Sequence, residues 1–208
     1  MIPLETISLF VVASIALSLS PGPDNIFVLT QSAMNGRKAG IFVTLGLCTG
    51  LLVHTATVSL GVASIFQSSE LAFNILKFVG AMYLLYLAWQ AFRAGSTNVS
   101  KVKKEHANWK QLYMRGVVMN ITNPKVAIFF LAFLPQFAEP SIGSITVQMM
   151  AFGCLFIATT LCIFTLVAWS AGFLGEWLKG SDKAQKLINR IAGTVFIGLA
   201  VKLAVSER

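Results

Sequence analysis

The sequence predicts an all-α membrane protein of six transmembrane helices, arranged as two inverted three-helix repeats with the first and fourth helices broken at proline. Three observations predict it: a membrane composition, long runs free of charge, and two proline-centred motifs at corresponding places in the two halves. Of 208 residues, 56% are hydrophobic and 12% charged, whereas an ordinary soluble domain carries roughly 25% charged residues. No acidic or basic residue occurs between Lys38 and Glu70 or between Glu139 and Glu176. Each stretch exceeds the ~20 apolar residues that cross a hydrocarbon core.

The apolar runs are approximately Ile7 to Met34, Gly40 to Phe66, Leu71 to Phe92, Gln111 to Ala138, Ile142 to Gly175 and Leu187 to Val205. Irregular backbone facing lipid leaves amide groups without partners, and no alternating strand pattern occurs, so these runs are expected to be helices. Ile7 to Leu19 has the length of a secretory signal. Its flank, Met1 to Glu5, carries no basic residue and more apolar sequence follows at once, so it is read as a retained first span. The chain is expected to form one transporter domain over residues 1–208, with one repeat over about 1–93, a connection over about 94–110 and a second repeat over about 111–208.

Orientation follows from Lys and Arg in the short connections. Arg37, Lys38, Arg93, Lys101, Lys103, Lys104, Lys110, Arg115, Lys179, Lys183, Lys186 and Arg190 fall on one side, against Lys202 and Arg208 on the other. Both termini should therefore face outward and the 94–110 connection inward. The same distribution accounts for the net charge of +8 by membrane topology, without a nucleic-acid partner. Cys48, Cys154 and Cys162 lie in apolar runs with no CxxC pair, so they are read as packing residues with no redox, metal or cofactor role.

Ser20-Pro21-Gly22-Pro23-Asp24-Asn25 in the first run matches Asn120-Ile121-Thr122-Asn123-Pro124-Lys125 in the fourth. Lys77 to Tyr83 in the third matches Arg190 to Phe196 in the sixth. Three spans per unit is an odd number, so the second copy enters from the opposite side, as in the inverted repeats of many secondary transporters. Proline removes an amide donor and clashes with the preceding turn, so both motifs should interrupt their helices. Broken backbone at membrane depth survives where protein or a water-filled cavity surrounds it, which places the two breaks across one polar site.

Each break also starts a half-helix, with Pro23 and Pro124 at the first helical position and Asp24 and Lys125 in the first turns. Asp24 suits the helix dipole there. Lys125 does not, and should need a nearby carboxylate: Asp24, its counterpart in the repeat, or one brought by a substrate. Asn123 is explained by capping as well as by substrate contact.

These residues resemble the lysine-exporter superfamily, in particular its homoserine and threonine exporter branch. The resemblance rests on SPGPDN at Ser20 to Asn25, Gly46 and Gly50 followed by His54, LKxxGAxYLLYLAW from Leu76 to Trp89, NITNPK at Asn120 to Lys125, and INRxxG at Ile188 to Gly193. It implies a small six-span exporter of amino acids or close derivatives in the bacterial inner membrane, driven by the proton-motive force. It also implies that the segments Pro21 to Asp24 and Asn123 to Lys125 are signature regions. Members that share these motifs differ in substrate, so homoserine, threonine and leucine stay open.

The expected substrate site therefore comprises Pro21, Gly22, Pro23, Asp24, Asn25, Asn120, Asn123, Pro124 and Lys125. Asp24 would hold a substrate ammonium; Lys125 and the half-helix N-termini would hold its carboxylate. Asp24 and His54 are the candidates for the coupling proton, His54 because its ordinary pKa of ~6.5 lies near physiological pH; a neutral imidazole bonded to a neighbouring helix explains His54 equally well. Lys77 is expected to snorkel to the surface. Gly36 with Gly40, and Gly46 with Gly50, would let another helix approach closely, in the same chain or in a homo-oligomer. Trp89, Trp109, Trp169 and Trp177 stand near span ends, as interfacial anchors do.

The alternative of a metal-ion exporter lacks a His- or acid-rich loop, and few metal-binding side chains lie within the spans. An enzyme is not expected. A thiol relay needs cysteines at the breaks, and a Ser20–His54 hydrolase would lack an orienting group.

Overall fold

The computed structural model describes residues 2–62, 70–94, 108–180 and 182–205, and these are all-helical. The helices are α1 (Leu4–Leu19), α2 (Pro23–Asn35), α3 (Arg37–Thr57), α4 (Glu70–Arg93), α5 (Trp109–Ile121), α6 (Pro124–Ile128), α7 (Ile145–Gly180) and α8 (Asp182–Val205). A π-helical turn, Val58–Val62, continues α3; a second, Phe129–Phe133, continues α6 and leads into 3₁₀ turns at Leu134–Phe137. Among the described residues, four helices are long and apolar enough to span a membrane alone. The pairs α1/α2 and α5/α6 qualify when each is taken as one bent span, which brings the number to six.

Lys101, Lys103, Lys104 and Arg208, and the side chains of Trp177, Lys179 and Lys183, lie outside the described residues. The topology expectation leans in part on these residues.

The prolines act where the sequence places them. The chain bends by 60° between α1 and α2 and by 48° between α5 and α6, and Pro23 and Pro124 each open the following helix. In both breaks proline removes the N–H that would have closed a helical bond, leaving carbonyls to find other donors.

Glycines set the closest helix packing. A Cβ on Gly46 of α3 would stand 2.1 Å from the Tyr113 carbonyl oxygen, and one on Gly116 of α5 2.5 Å from that of Val43. The two helices therefore touch backbone to backbone, and the partner of the Gly46–Gly50 face is a helix of the same chain. Gly40 packs under Ser32 and Ala168. Gly36 departs from the expectation. It lies outside both helices with φ +83° and nothing near its absent side chain, so it serves the α2–α3 turn and not a packing face.

Helix α3 lies against α5, α2 and α7, while α4 lies along α8, and α1 contacts α7 and α8. Two buried apolar clusters result. The larger is rich in phenylalanine: Phe10 meets Phe152 at 4.8 Å and Phe137 at 5.1 Å between ring centroids, and Phe129 meets Phe133 at 4.7 Å. The smaller gathers Val28, Val43, Leu47, Leu112 and Phe164. Outward faces are apolar as well, with Phe78, Met82 and Trp89 of α4 at least half exposed, as suits a lipid-facing surface.

Trp89 and Trp169 carry cations over their rings, Arg93 at 4.6 Å and Arg37 at 5.1 Å. Trp109 stacks on Phe42. Lys77 lies 5.0 Å from the Phe78 ring.

Candidate functional site

A polar cleft lies where the two breaks meet. It is lined by Ser18, Gly22, Asp24, Asn25, Asn120, Asn123, Lys125 and Thr160, with Leu17, Leu51, Val126, Phe156 and Phe164 completing the wall. Phe156 belongs to the larger apolar cluster and Phe164 to the smaller, so the cleft sits at their junction. Its empty space is about 350 Å³ with the open mouth included.

The freed carbonyls account for much of this geometry. At the first break the Ser18 carbonyl accepts from Asn25 Nδ2 at 2.9 Å, and the Ser20 carbonyl accepts from Lys125 Nζ at 2.9 Å. At the second, Pro124 has no N–H for the Asn120 carbonyl, which accepts instead from the Asn123 N–H at 3.0 Å and from His54 Nε2 at 3.1 Å. A carbonyl only accepts, so Nε2 carries the proton in this contact. Asn123 Oδ1 caps α6 by accepting the Lys125 N–H at 3.0 Å.

Lys125 thus finds a partner the sequence reading did not name. Its ammonium sits on a carbonyl at the C-terminal end of α1, the negative pole of that half-helix. Gly22 leaves room for the approach: its backbone is extended, which any residue adopts, and a Cβ there would lie 3.3 Å from Lys125 Nζ, a tight contact that a small shift of the lysine end would relieve.

Asp24 is buried at 6% exposure, and its Oδ2 accepts from Asn120 Nδ2 at 3.0 Å. Among the described residues, Asp24 Oδ1 and Asn120 Oδ1 are buried with no partner in hydrogen-bond geometry, although the Asn123 side chain also interacts with the Asp24 carboxyl. Asp24 and Lys125 therefore share one cleft, as the repeat predicts, but do not hydrogen bond to each other; each is held by a polar group of the opposite break.

With these two breaks and one shared cleft in view, comparison with known proteins is decisive. The family model for the LysE type translocator matches residues 15–207. The chain belongs to that family. It is similar to the homoserine/homoserine lactone efflux protein of Salmonella typhimurium, 33% identical over 195 residues that cover 94% of both chains. The protein of the same description from Salmonella typhi is 32% identical over the same share. No solved structure matches.

Of the residues expected in this translocator's site, Gly22, Asp24, Asn25, Asn120, Asn123 and Lys125 line the cleft, while Pro21, Pro23 and Pro124 shape the backbone behind it. His54 stands off the cleft wall, bonded to the Asn120 carbonyl with its ring 5.7 Å from that of Phe130. Sequence reasoning missed Ser18, Thr160 and the apolar wall. Ser18 lies two residues before the break and was within reach of the argument; Thr160, mid-way along an uninterrupted helix, gives no local signal. Among the described residues, no three His, Cys, Asp or Glu side chains gather as a metal cage would require.

Proposed function

We propose that this translocator is a secondary-active exporter of amino acids or close derivatives, of the neutral homoserine, threonine or leucine type, coupled to proton entry across the bacterial inner membrane. The observation that carries this reading is the pair of buried acceptors without donors, Asp24 Oδ1 and Asn120 Oδ1, on residues of a cleft that also holds the Lys125 ammonium. Leaving a buried acceptor unmatched costs roughly 1–3 kcal/mol. An α-ammonium supplies the missing donors, and an α-carboxylate takes the Lys125 ammonium in place of the Ser20 carbonyl.

Homoserine and homoserine lactone, the compounds in the relatives' names, share the α-amine, and the lactone lacks the free carboxylate. Asp24 is accordingly assigned to the amine, and Lys125 to a carboxylate or an ester carbonyl oxygen. Proton and ammonium compete for the same Asp24 carboxylate, which is the logic of exchange: a proton arriving from outside releases the amine. His54 donates its Nε2–H in a hydrogen bond to the Asn120 carbonyl and is assigned a supporting role.

Both termini face the periplasm in this reading, and residues 94–110 face the cytoplasm. The two halves form inverted repeats. Support comes from the packing of α1 and α2 on α7 and of α3 on α5, pairings that a two-fold axis in the membrane plane would exchange.

Proteoliposomes loaded with labelled homoserine test the function. Uphill efflux should follow an imposed pH gradient and stop with Asp24→Asn. Efflux unaffected by a protonophore would remove the coupling, and an Asp24→Asn rate equal to the parent's would remove the site. For topology, Lys110→Cys should resist an impermeant maleimide in intact spheroplasts.

A further inference from the structure

We infer that Ser18 and Thr160 form a subsite for an oxygen on the substrate's side chain, so that the protein favours oxygen-bearing amino acids over apolar ones of equal size. This rests on the exporter reading above and narrows its substrate class.

Serine and threonine buried in helices ordinarily return their hydroxyl to the carbonyl four residues back. In this protein Ser14 and Ser32 do so at 2.7 Å, and Thr44 and Thr55 at 2.8 Å. Ser18 and Thr160 do not. Their oxygens face one another from α1 and α7 at 3.4 Å, well beyond the ~2.7–2.8 Å usual for hydroxyl pairs. Both residues are buried, at 6% and 3% exposure, so solvent does not explain their turning away from their own helices.

Two hydroxyls offer two donors and four acceptor lone pairs, and this long contact uses one donor and one lone pair. One donor and three lone pairs are left, and a third oxygen placed beside them takes up the free donor. Ser18 and Thr160 also line the cleft that holds Asp24 and Lys125. Beyond the glycine and asparagines of the two breaks, the wall comes from Leu17, Leu51, Val126, Phe156 and Phe164, which accept any aliphatic side chain of suitable size. Held at its amine by Asp24, a substrate has its side chain facing a wall in which this hydroxyl pair, carried by α1 and α7 outside the two breaks, adds a polar spot among the apolar residues. A site with hydrogen-bonding groups to satisfy discriminates against analogues that lack the matching group.

The test compares labelled homoserine with norvaline, in which a methyl replaces the hydroxyl, in proteoliposomes under one pH gradient. Both are zwitterions, so the Asp24 and Lys125 contacts are common to them. The parent should prefer homoserine in kcat/KM. Thr160→Val or Ser18→Ala should each cut that preference roughly three- to tenfold, the size of one hydrogen bond, while Thr160→Ser should keep it. Either single variant suffices if the other fails to reach the membrane. A parent indifferent to the hydroxyl, or unchanged preference in Thr160→Val and Ser18→Ala, overturns the subsite and leaves the exporter reading intact. If the parent exports neither compound, the exporter reading falls and the subsite falls with it; if Asp24→Asn exports both at the parent's rate, the Asp24 assignment falls, and with it the subsite that depends on the amine being held there.

Discussion

The two helix breaks solve the same problem by different means. At the first, α2 opens on Gly22, which has no side chain to cap it, and the loose carbonyls of Ser18 and Ser20 are met by Asn25 and by Lys125 from the other break. At the second, Asn123 caps α6 with its own side chain, and the Asn120 carbonyl is met by a neighbouring N–H and by His54. The first break then runs into 13 residues of regular helix, whereas the second passes from 5 residues of α-helix into π and 3₁₀ turns. The first break thus borrows one of its two donors from the second break, whereas the carbonyl and cap of the second take nothing from the first. A disturbance at the second break should spread to the first more readily than the reverse.

The largest effect is expected from Lys125→Met. It removes the ammonium that closes the first break, a charged hydrogen bond of roughly 1.5–3 kcal/mol, and also the group assigned to the substrate carboxylate. Homoserine efflux should be lost, and detergent-solubilised protein should unfold at a lower temperature. A variant as stable and active as the parent would show that the first break does not depend on the second.

Gly50→Ala comes next. The new Cβ would lie 2.7 Å from Asn120 Cβ and Oδ1, so Asn120 must leave the position in which it bonds Asp24, an overpacking typically worth about 1–3 kcal/mol. Efflux should fall sharply in kcat with the protein still in the membrane. An unchanged rate would mean that the Asn120–Asp24 bond is dispensable.

Asn123→Ala removes a cap, for about 0.5–2 kcal/mol, and Asn123→Asp should restore it. The change in melting temperature is the measurement, and a fall with Ala alone marks the self-sufficiency of the second break. The smallest effect is expected from His54→Gln, which keeps a donor for the Asn120 carbonyl. Efflux should stay coupled to the pH gradient. Loss of coupling with efflux retained would transfer the proton from Asp24 to His54.

The sequence spoke most clearly where proline forbids something. Pro21, Pro23 and Pro124 cannot lie quietly in a helix, so the bends, the half-helix starts and the meeting of Asp24 and Lys125 in one cleft were legible before any coordinates. Partners were not. The Lys125 reading looked for a carboxylate and missed the Ser20 carbonyl, because a carbonyl freed by a bend carries no letter of its own in the sequence. Thr160 was invisible for a related reason: its significance is a hydroxyl rotamer turned toward α1, decided by packing of helices distant along the chain. The glycines were half read. Gly46 and Gly50 marked a close approach correctly, while Gly36 shared their spacing but sits at a positive φ in a turn, which spacing alone does not distinguish.

The crossing of α3 and α5 at Gly46 and Gly116 has a mechanical side. Where two helices meet through side chains, rotamers can give way and let one slide over the other; where carbonyl meets α-carbon, no compliant layer exists. The Thr49–Tyr113 hydroxyl contact at 2.9 Å pins the same pair beside that crossing. Helices α3 and α5 therefore resist sliding over one another at this crossing, and a rearrangement of the cleft meets less resistance at the bends around residues 20–22 and 122–123 than along this pair.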